Sequence, residues 1–484
     1  MNPVSSEPHL EPLGMGLDSR AEVFVSGEKV LRAIRSPHED FYSELLRQPF
    51  IERSMADGIL ISTKVSDTKI EGYSLVLEHP RICPVTLPFE WPAEMMRAAA
   101  LCILELNDRL MQHGYCTVDG HPWNILFEGV LPRFIDFTSI IRLPTHGLWE
   151  EMKEFSDTFL SALQLMEKGY PTVARALSRE VRSGPDRTLA SSVPYNARRI
   201  QALRPGMREI TTVMDFGKFF IEKGLRRLRW KMRGRVGFEA KREDIAETAD
   251  EIRAMNLLPA HDMWSTYYNG AADAGVYDGS RQSLENLSKT SPKHRVISEL
   301  LDRWKPRSVL DVACNRGPYS QIAALKGARA IGIDTDEAAL DAMYRDSVAL
   351  GSGAIPLYTN PVTPAEAIAF HERPFPSVID RLRSECVLCL ALVHHLVFRQ
   401  HRINFRQVAH ILASLSEKHL VVEFVPVNDR ALKEFLDTRS EDFRRRYEWY
   451  TLANFKAALG KYFATVEELP SFPETRVILA CTRA

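Results

Sequence analysis

No run in this chain is apolar for long enough to cross a bilayer: the richest, VLCLALVHHLVF at 387–398, has 12 residues, where a spanning helix needs about 20. The N-terminus, MNPVSSEPHLEPLGMG, lacks the basic start and apolar stretch of an export signal, so a cytoplasmic protein is expected. An excess of either charge is missing too, with 62 Lys and Arg against 63 Asp and Glu, which disfavours a nucleic-acid partner held by overall basicity. The seven cysteines, Cys83, Cys102, Cys116, Cys314, Cys386, Cys389 and Cys481, are odd in number and scattered, unlike a disulfide framework. Cys386 and Cys389 fall in a strand-like run, on opposite faces, with no second Cys or His pair at finger spacing. They read as buried thiols. Internal repeats and low-complexity tracts are absent as well.

The length, 484 residues, exceeds what one core usually fills, so two or three domains are expected. From about Ser288 helical and short apolar segments alternate: HRVISELLDRW, SVLDVA, YSQIAALKG, RAIGID, AIPLYT, ECVLCLALV, HLVVEFV, TVEEL and RVILACT. This predicts an α/β domain with a mostly parallel sheet. Seven strands with a final antiparallel hairpin match a Rossmann-like class I S-adenosylmethionine (SAM) methyltransferase domain.

The most informative shortage is local. VLDVACNRGPYS, at 309–320, has the shape of a glycine-rich cofactor loop, D-x-G-x-G-x-G, with most glycines replaced: its positions become Asp311, Ala313, Asn315 and Gly317. Ala313 keeps the bulk small, Asn tolerates left-handed backbone, and Gly317 stands where the chain enters a helix. A dinucleotide is the rival ligand, since both folds place a cofactor at the carboxyl ends of the first strands. Asp334 in GIDTD suits ribose hydroxyls in either case. Asp311, at the strand end ahead of the loop, would repel a pyrophosphate but suits the amino-acid moiety of SAM, and so favours SAM.

The segments TNPVTPAEAIAFHERPF, LCLALVHHLVF, VVEFVPVNDRALKEFLDTRSEDF, YTLANFKAALGKYF and SFPETRVILACTR resemble a group of bacterial class I SAM-dependent methyltransferases that includes proteins associated with rhizobial nodulation. The resemblance implies that Asp311, Ala313, Asn315 and Gly317 form the methionine-side loop, that Asp334 takes the ribose, and that Asn360 lies near the adenine. His394 and His395 follow the fourth strand. One of them is a candidate general base toward a hydroxyl; the alternative is a pair that packs and lines the pocket without proton transfer. Glu423 is the next candidate for orienting an acceptor, or else a strand-end residue bonding backbone. No metal is expected in this domain.

The N-terminal half holds TVDGHPWNILFEGVLPRFIDFTSI. Asp119 and Asn124 have the spacing of a kinase catalytic loop, and Asp136 stands where a metal-binding Asp belongs, giving Asp119 as base with Mg at Asn124 and Asp136 beside ATP. AEVFVSGEKVLRAI reads as a hairpin, EDFYSELLRQPFIERSM as a helix carrying Glu44, and PAEMMRAAALCILELNDRLMQHG as a long helix. Parts are missing: LGMGLDSRAEVF lacks a third glycine, Arg32 replaces the strand lysine, and no His-Arg precedes Asp119. The methyltransferase relatives carry a similar Asp/Asn/Asp arrangement behind a PFEW lead-in. The expectation is therefore an N-terminal α+β kinase-like domain that aids acceptor recognition.

These readings divide the chain into 1–222, a joining segment at 223–254 and the methyltransferase domain at 255–484. The joining segment includes GLRRLRWKMRGRVGFEAKR, a basic stretch at 223–242 suited to an anionic surface or to a solvated helix. HDMWSTYYNGAADAGVYDGS, at 261–280, is either a lid or packing. Three functions stay open: a SAM-dependent O-methyltransferase acting on a saccharide or small polar metabolite, a bifunctional kinase-methyltransferase modifying a glycan terminus, and a non-catalytic SAM-binding scaffold.

Overall fold

The computed structural model describes residues 10–12, 18–179, 187–196, 239–257, 277–360, 362, 369–370, 373–374, 376–400 and 402–484. Most of the basic stretch at 223–242 and of the segment at 261–280 lies outside these residues. The chain divides into two units, one comprising Met1–Phe89, Ala93–Ala260 and Ala369–Pro374, the other Glu90–Pro92, His261–Ile368 and Phe375–Ala484. Among the described residues no helix is long and apolar enough to cross a membrane.

The first unit is built on a five-stranded antiparallel sheet of β1 (Glu11–Pro12), β2 (Ala21–Ser26), β3 (Lys29–Ile34), β4 (Lys64–Val65) and β5 (Leu75–Pro80), in the order β1-β2-β3-β5-β4. The expected hairpin is β2–β3, closed by Gly27 and Glu28 with Ser26 opposite Lys29. The helix expected over EDFYSELLRQPFIERSM is two, Glu39–Leu46 and Pro49–Ala56. Pro49 is the cause: it forces Gln48 into extended backbone and starts a new helix from its own first position. The long helix is present as Ala93–Met111, with Met95, Met96, Ala99, Ile103, Leu106 and Leu110 on its buried face. Helix Arg242–Ala254, from the joining segment, packs on it. Two hairpins follow, β6 (Tyr115–Thr117) with β9 (Ile140–Arg142), and β7 (Ile125–Glu128) with β8 (Leu131–Phe134).

The second unit is a seven-stranded sheet. Its strands are β10 (Ser308–Val312), β11 (Arg329–Asp334), β12 (Ile355–Tyr358) and, after the short pair β13 (Ala369–Phe370) and β14 (Arg373–Pro374), β15 (Ser384–Cys389), β16 (Ser416–Phe424), β17 (Thr465–Pro470) and β18 (Val477–Thr482). Their order is β12-β11-β10-β15-β16-β18-β17. All pairings from β12 to β16 are parallel, while β18 runs antiparallel between β16 and β17. Numbered within the sheet, this is 3-2-1-4-5-7-6 with the seventh strand reversed. The strand order switches direction at β10, which opens a crevice beyond the carboxyl ends of β10 and its neighbours. The strand expected over ECVLCLALV stops early, at Cys389, because Ala391 takes left-handed backbone (φ 51°) and turns the chain into a helix at Val393–His395.

Gly317 begins the helix Pro318–Leu325 in left-handed conformation (φ 70°). A Cβ there would lie 2.4 Å from Sδ of Met343, which is fully buried in the same core. Gly317→Ala is therefore expected to destabilise the second unit by about 1–3 kcal/mol through strain and overpacking, seen as a lowered thermal midpoint. An unchanged midpoint would mean that Met343 moves aside at no cost.

Candidate functional site

A cavity of about 580 Å³ opens beyond the carboxyl ends of β10, β11, β12 and β15, lined among others by Asp311, Ala313, Asn315, Asp334, Asn360, His394 and His395. The sequence singled out all seven. Gly317 and Glu423 are not among the lining residues. Gly317 serves the helix start behind the loop, while Glu423 is fully buried.

The loop after β10 keeps a glycine-like path without the glycines. Ala313, Asn315 and Gly317 all have positive φ, at 59°, 52° and 70°. For residues with a Cβ this conformation costs roughly 1 kcal/mol each, and local bonds offset it. The Asn315 amide donates to Asp334 Oδ2 at 2.7 Å, and Asn315 Oδ1 accepts from the Arg316 amide at 2.8 Å. Arg316 clamps the outside through two bonds to Asp346, at 2.7 and 3.0 Å, and one to the Tyr277 carbonyl at 3.3 Å.

The two acidic residues differ in their bonding. Asp334 also accepts from the amides of Thr335 and Asp336, and burial holds its carboxyl above the usual range. Asp311 is almost fully buried and accepts one hydroxyl bond, from Ser320 at 2.9 Å. Burial, with a smaller push from Asp334, raises its pKa to about 7. Asn360 Oδ1 accepts from the Val362 amide.

The same cavity is lined by the two histidines, with ring centroids 4.0 Å apart. Burial depresses both, His395 to about 4 and His394 well below the ordinary histidine value, and nearby cations, Arg399 and Arg476 among them, add to the effect. Both rings are therefore neutral near pH 7. The buried Nδ1 of His394 has no hydrogen-bond partner.

Among the cavity residues that the sequence did not single out are three cations, Lys293, Arg399 and Arg476. Lys293 Nζ pairs with Glu423 Oε2 at 2.8 Å in a buried contact, and Ser471 donates to the other Glu423 oxygen at 2.6 Å. Arg476 pairs with Asp429 at 2.8 Å. The signal for Lys293 was available, because it lies on the face of its helix that carries Ile297, Leu300 and Leu301, where a lysine needs a partner.

The second unit has the class I methyltransferase fold. Its strand order, switch-point cavity and left-handed loop are those expected of that fold.

In the first unit the structure brings Asp119 and Asn124 together, with Asn124 Nδ2 donating to Asp119 Oδ2 at 3.2 Å. Asp136 is engaged differently. Arg32, on β3, donates to Asp136 Oδ1 at 2.7 Å and to Thr138 Oγ1 at 2.6 Å, and lies 3.7 Å from Asp18. A guanidinium thus sits on the carboxylate for which the sequence suggested magnesium. Burial raises Asp119 above the usual carboxylate range, and burial together with Glu154, Asp119 and Glu150 raises Glu151 to about 7.

No family model matches the chain. Nodulation protein NoeA of Rhizobium meliloti (strain 1021) is 27% identical over 440 residues, covering 88% of this chain and 87% of NoeA, so the similarity takes in both units. Among solved structures, magnesium protoporphyrin IX methyltransferase (ChlM) from Synechocystis PCC 6803 with bound SAH aligns with 43% of this chain and 84% of its own, at 16% identity and TM-score 0.28. An O-methyltransferase family protein from Burkholderia thailandensis aligns with 42% of this chain and 58% of its own, at 18% identity and TM-score 0.29. WbdD, crystallised with the kinase inhibitor LY294002, aligns with 42% of this chain and 40% of its own, at 15% identity and TM-score 0.28. At such scores the superpositions carry no weight, and the fold assignment rests on strand order and loop geometry.

The Lys293–Glu423 pair supplies a test of the cavity wall. Glu423→Leu leaves the Lys293 ammonium buried without its partner and is expected to cost about 3–5 kcal/mol. The double variant Lys293→Met, Glu423→Leu should lose clearly less in denaturant unfolding. Additive losses would mean that the pair is not coupled.

Proposed function

We propose that the protein is a SAM-dependent O-methyltransferase acting on a hydroxyl of a saccharide or other small polar metabolite. The observation that carries this reading is one cavity lined by the left-handed Ala313–Asn315 loop, two strand-end carboxylates and a neutral histidine pair.

The residues present fit the cofactor. Ala313 and Asn315 keep the loop backbone low enough for close approach, Asp311 suits an ammonium group, and Asp334 accepts from three amides and keeps one lone pair, on Oδ2, for a ribose hydroxyl. Asn360, at the end of β12, would face the base. When bound, SAM supplies a methyl group activated by its sulfonium sulfur. The chain's part is to orient the acceptor and exclude water. His394 lines the space in which the acceptor hydroxyl would lie. Its depressed pKa favours holding that hydroxyl in line, since a general base works best with a pKa near the operating pH.

We assign the first unit a ligand-recognition role. The Arg32–Asp136 ion pair supports this over phosphoryl transfer, because it occupies the carboxylate that a magnesium ion would need. The Asp119–Asn124 hydrogen bond is the observation that favours the second reading, a bifunctional kinase-methyltransferase.

Calorimetric titration with S-adenosylhomocysteine tests the cofactor site. Binding is expected in the wild type and lost in Asp334→Ala. The sign of the pH effect follows from Asp311. Its pKa of about 7 lies above its unfolded value, so the unliganded fold loses stability as pH rises through that window, whereas a ligand ammonium prefers the ionised form. Affinity should therefore rise by about tenfold from pH 6 to pH 8, and Asp311→Asn should abolish the rise. Equal affinity at both pH values would remove Asp311 from the site.

Turnover with methyl-labelled SAM and a panel of glycans and polar metabolites tests the reaction. His394→Ala should lower kcat by about tenfold or more without a change in affinity for S-adenosylhomocysteine, and the wild-type kcat should show no histidine titration between pH 6 and 8. Cofactor binding with no turnover on any acceptor would favour the scaffold reading.

A further inference from the structure

Between β6 and β7, Asp119 and His121 meet Glu154 from the short helix Met152–Phe155, and one ligand atom from each lies within 4.8 Å of the others. We propose that these three side chains bind a divalent d-block cation, Mn²⁺ or Zn²⁺, without nucleotide. The site shares Asp119 with the arrangement suggested by kinase-like spacing but not Asn124 or Asp136 as ligands, and it does not depend on the methyltransferase reading.

The geometry around His121 is the first support. Its Nε2 lies 3.8 Å from Asp119 Oδ1. That is beyond hydrogen-bond length but near the separation of two ligands each about 2.1 Å from one ion. His121 is buried, and its Nδ1 has no hydrogen-bond partner. A cation at Nε2 would engage the side of the ring that faces Asp119. One imidazole and two carboxylates form a mixed nitrogen and oxygen set that suits zinc or manganese better than magnesium.

The second support is that the ligands are held before any ion arrives. The Gly120 amide donates to Glu154 Oε2 at 2.7 Å, and a Cβ on Gly120 would lie 2.7 Å from the Glu151 carbonyl oxygen. The loop and the helix therefore touch backbone to backbone. Thr117 Oγ1 donates to the Asp119 carbonyl at 2.9 Å, Thr158 Oγ1 to the Glu154 carbonyl at 2.7 Å. Asn124 takes Asp119 Oδ2 and leaves Oδ1 toward His121.

Charge is the third. Among the described residues no lysine or arginine pairs with Asp119 or Glu154, while Lys153 pairs with Asp157 and Arg32 with Asp136. Glu151 adds a further carboxylate in the field of both. The surplus is negative.

The test uses the full chain, freed of metal with EDTA, exchanged into clean buffer and titrated calorimetrically with MnCl₂ and with ZnCl₂ in the absence of nucleotide. One ion per chain is expected. Affinity should fall by about tenfold or more in His121→Ala and in Glu154→Gln, and should be unchanged in His146→Ala. That last variant disables a second, exposed group of His146, Glu150 and Glu239. Circular dichroism establishes that each variant is folded, and Glu154→Gln decides should His121→Ala not fold. Absence of binding by the wild type, wild-type affinity in a folded His121→Ala or Glu154→Gln, or loss of binding in His146→Ala would overturn the proposal.

Discussion

The carboxylate of Asp334 holds together the part of the molecule on which the cavity depends. Standing at the end of β11, it reaches across to the Asn315 amide in the loop after β10 and also gathers the amides of Thr335 and Asp336. That loop carries two residues with a Cβ in left-handed backbone, a path that glycine follows without strain. The protein supplies in hydrogen bonds what it gave up in conformational freedom: Asn315 caps its neighbour's amide, and Arg316 grips Asp346 on the outer side. Gly317 remains where no such substitute exists, because the buried Met343 leaves no room for a side chain.

The same cavity brings both signs of charge together. Asp311, Asp334 and Asp336 line it with Lys293, Arg399, Arg476 and the histidine pair. Two of the cations are internally balanced, Lys293 by Glu423 and Arg476 by Asp429. Burial then keeps both imidazoles neutral. The outcome is a site whose uncompensated charge is acidic, suited to a cationic cofactor, beside imidazoles that present polarity without charge.

How much of this was legible depended on the kind of signal. The sheet was readable because each strand is a short apolar run between turn residues and because strand order follows from a small set of connection rules. The cavity side chains attached to the loop and strand ends, from Asp311 to Asn360 and the histidine pair, were readable because their positions follow from those ends. Arg476 was not, since it depends on Asp429, 47 positions away, and for Lys293 the apolar helix face signals a buried lysine but not its partner Glu423, 130 positions away. Glu423 was singled out for facing an acceptor, but strand alternation does not say which face looks into the cavity and which into the core. The break at Pro49 is readable in the proline itself, although the amphipathic pattern continues through it. In the first unit the spacing of Asp119, Asn124 and Asp136 was visible, whereas Arg32 could be noted only as a missing lysine. Its contact with Asp136 joins elements 104 positions apart.

That contact has a consequence for what the first unit can sense. A cation that is part of the chain is present at a fixed, very high effective concentration and has no rate of departure. It cannot be chelated, diluted or carried away on a triphosphate. The carboxylate of Asp136 therefore stays neutralised whatever the ionic composition of the surroundings, and the fold around it is insulated from the magnesium and nucleotide levels to which an exchangeable ion would couple it.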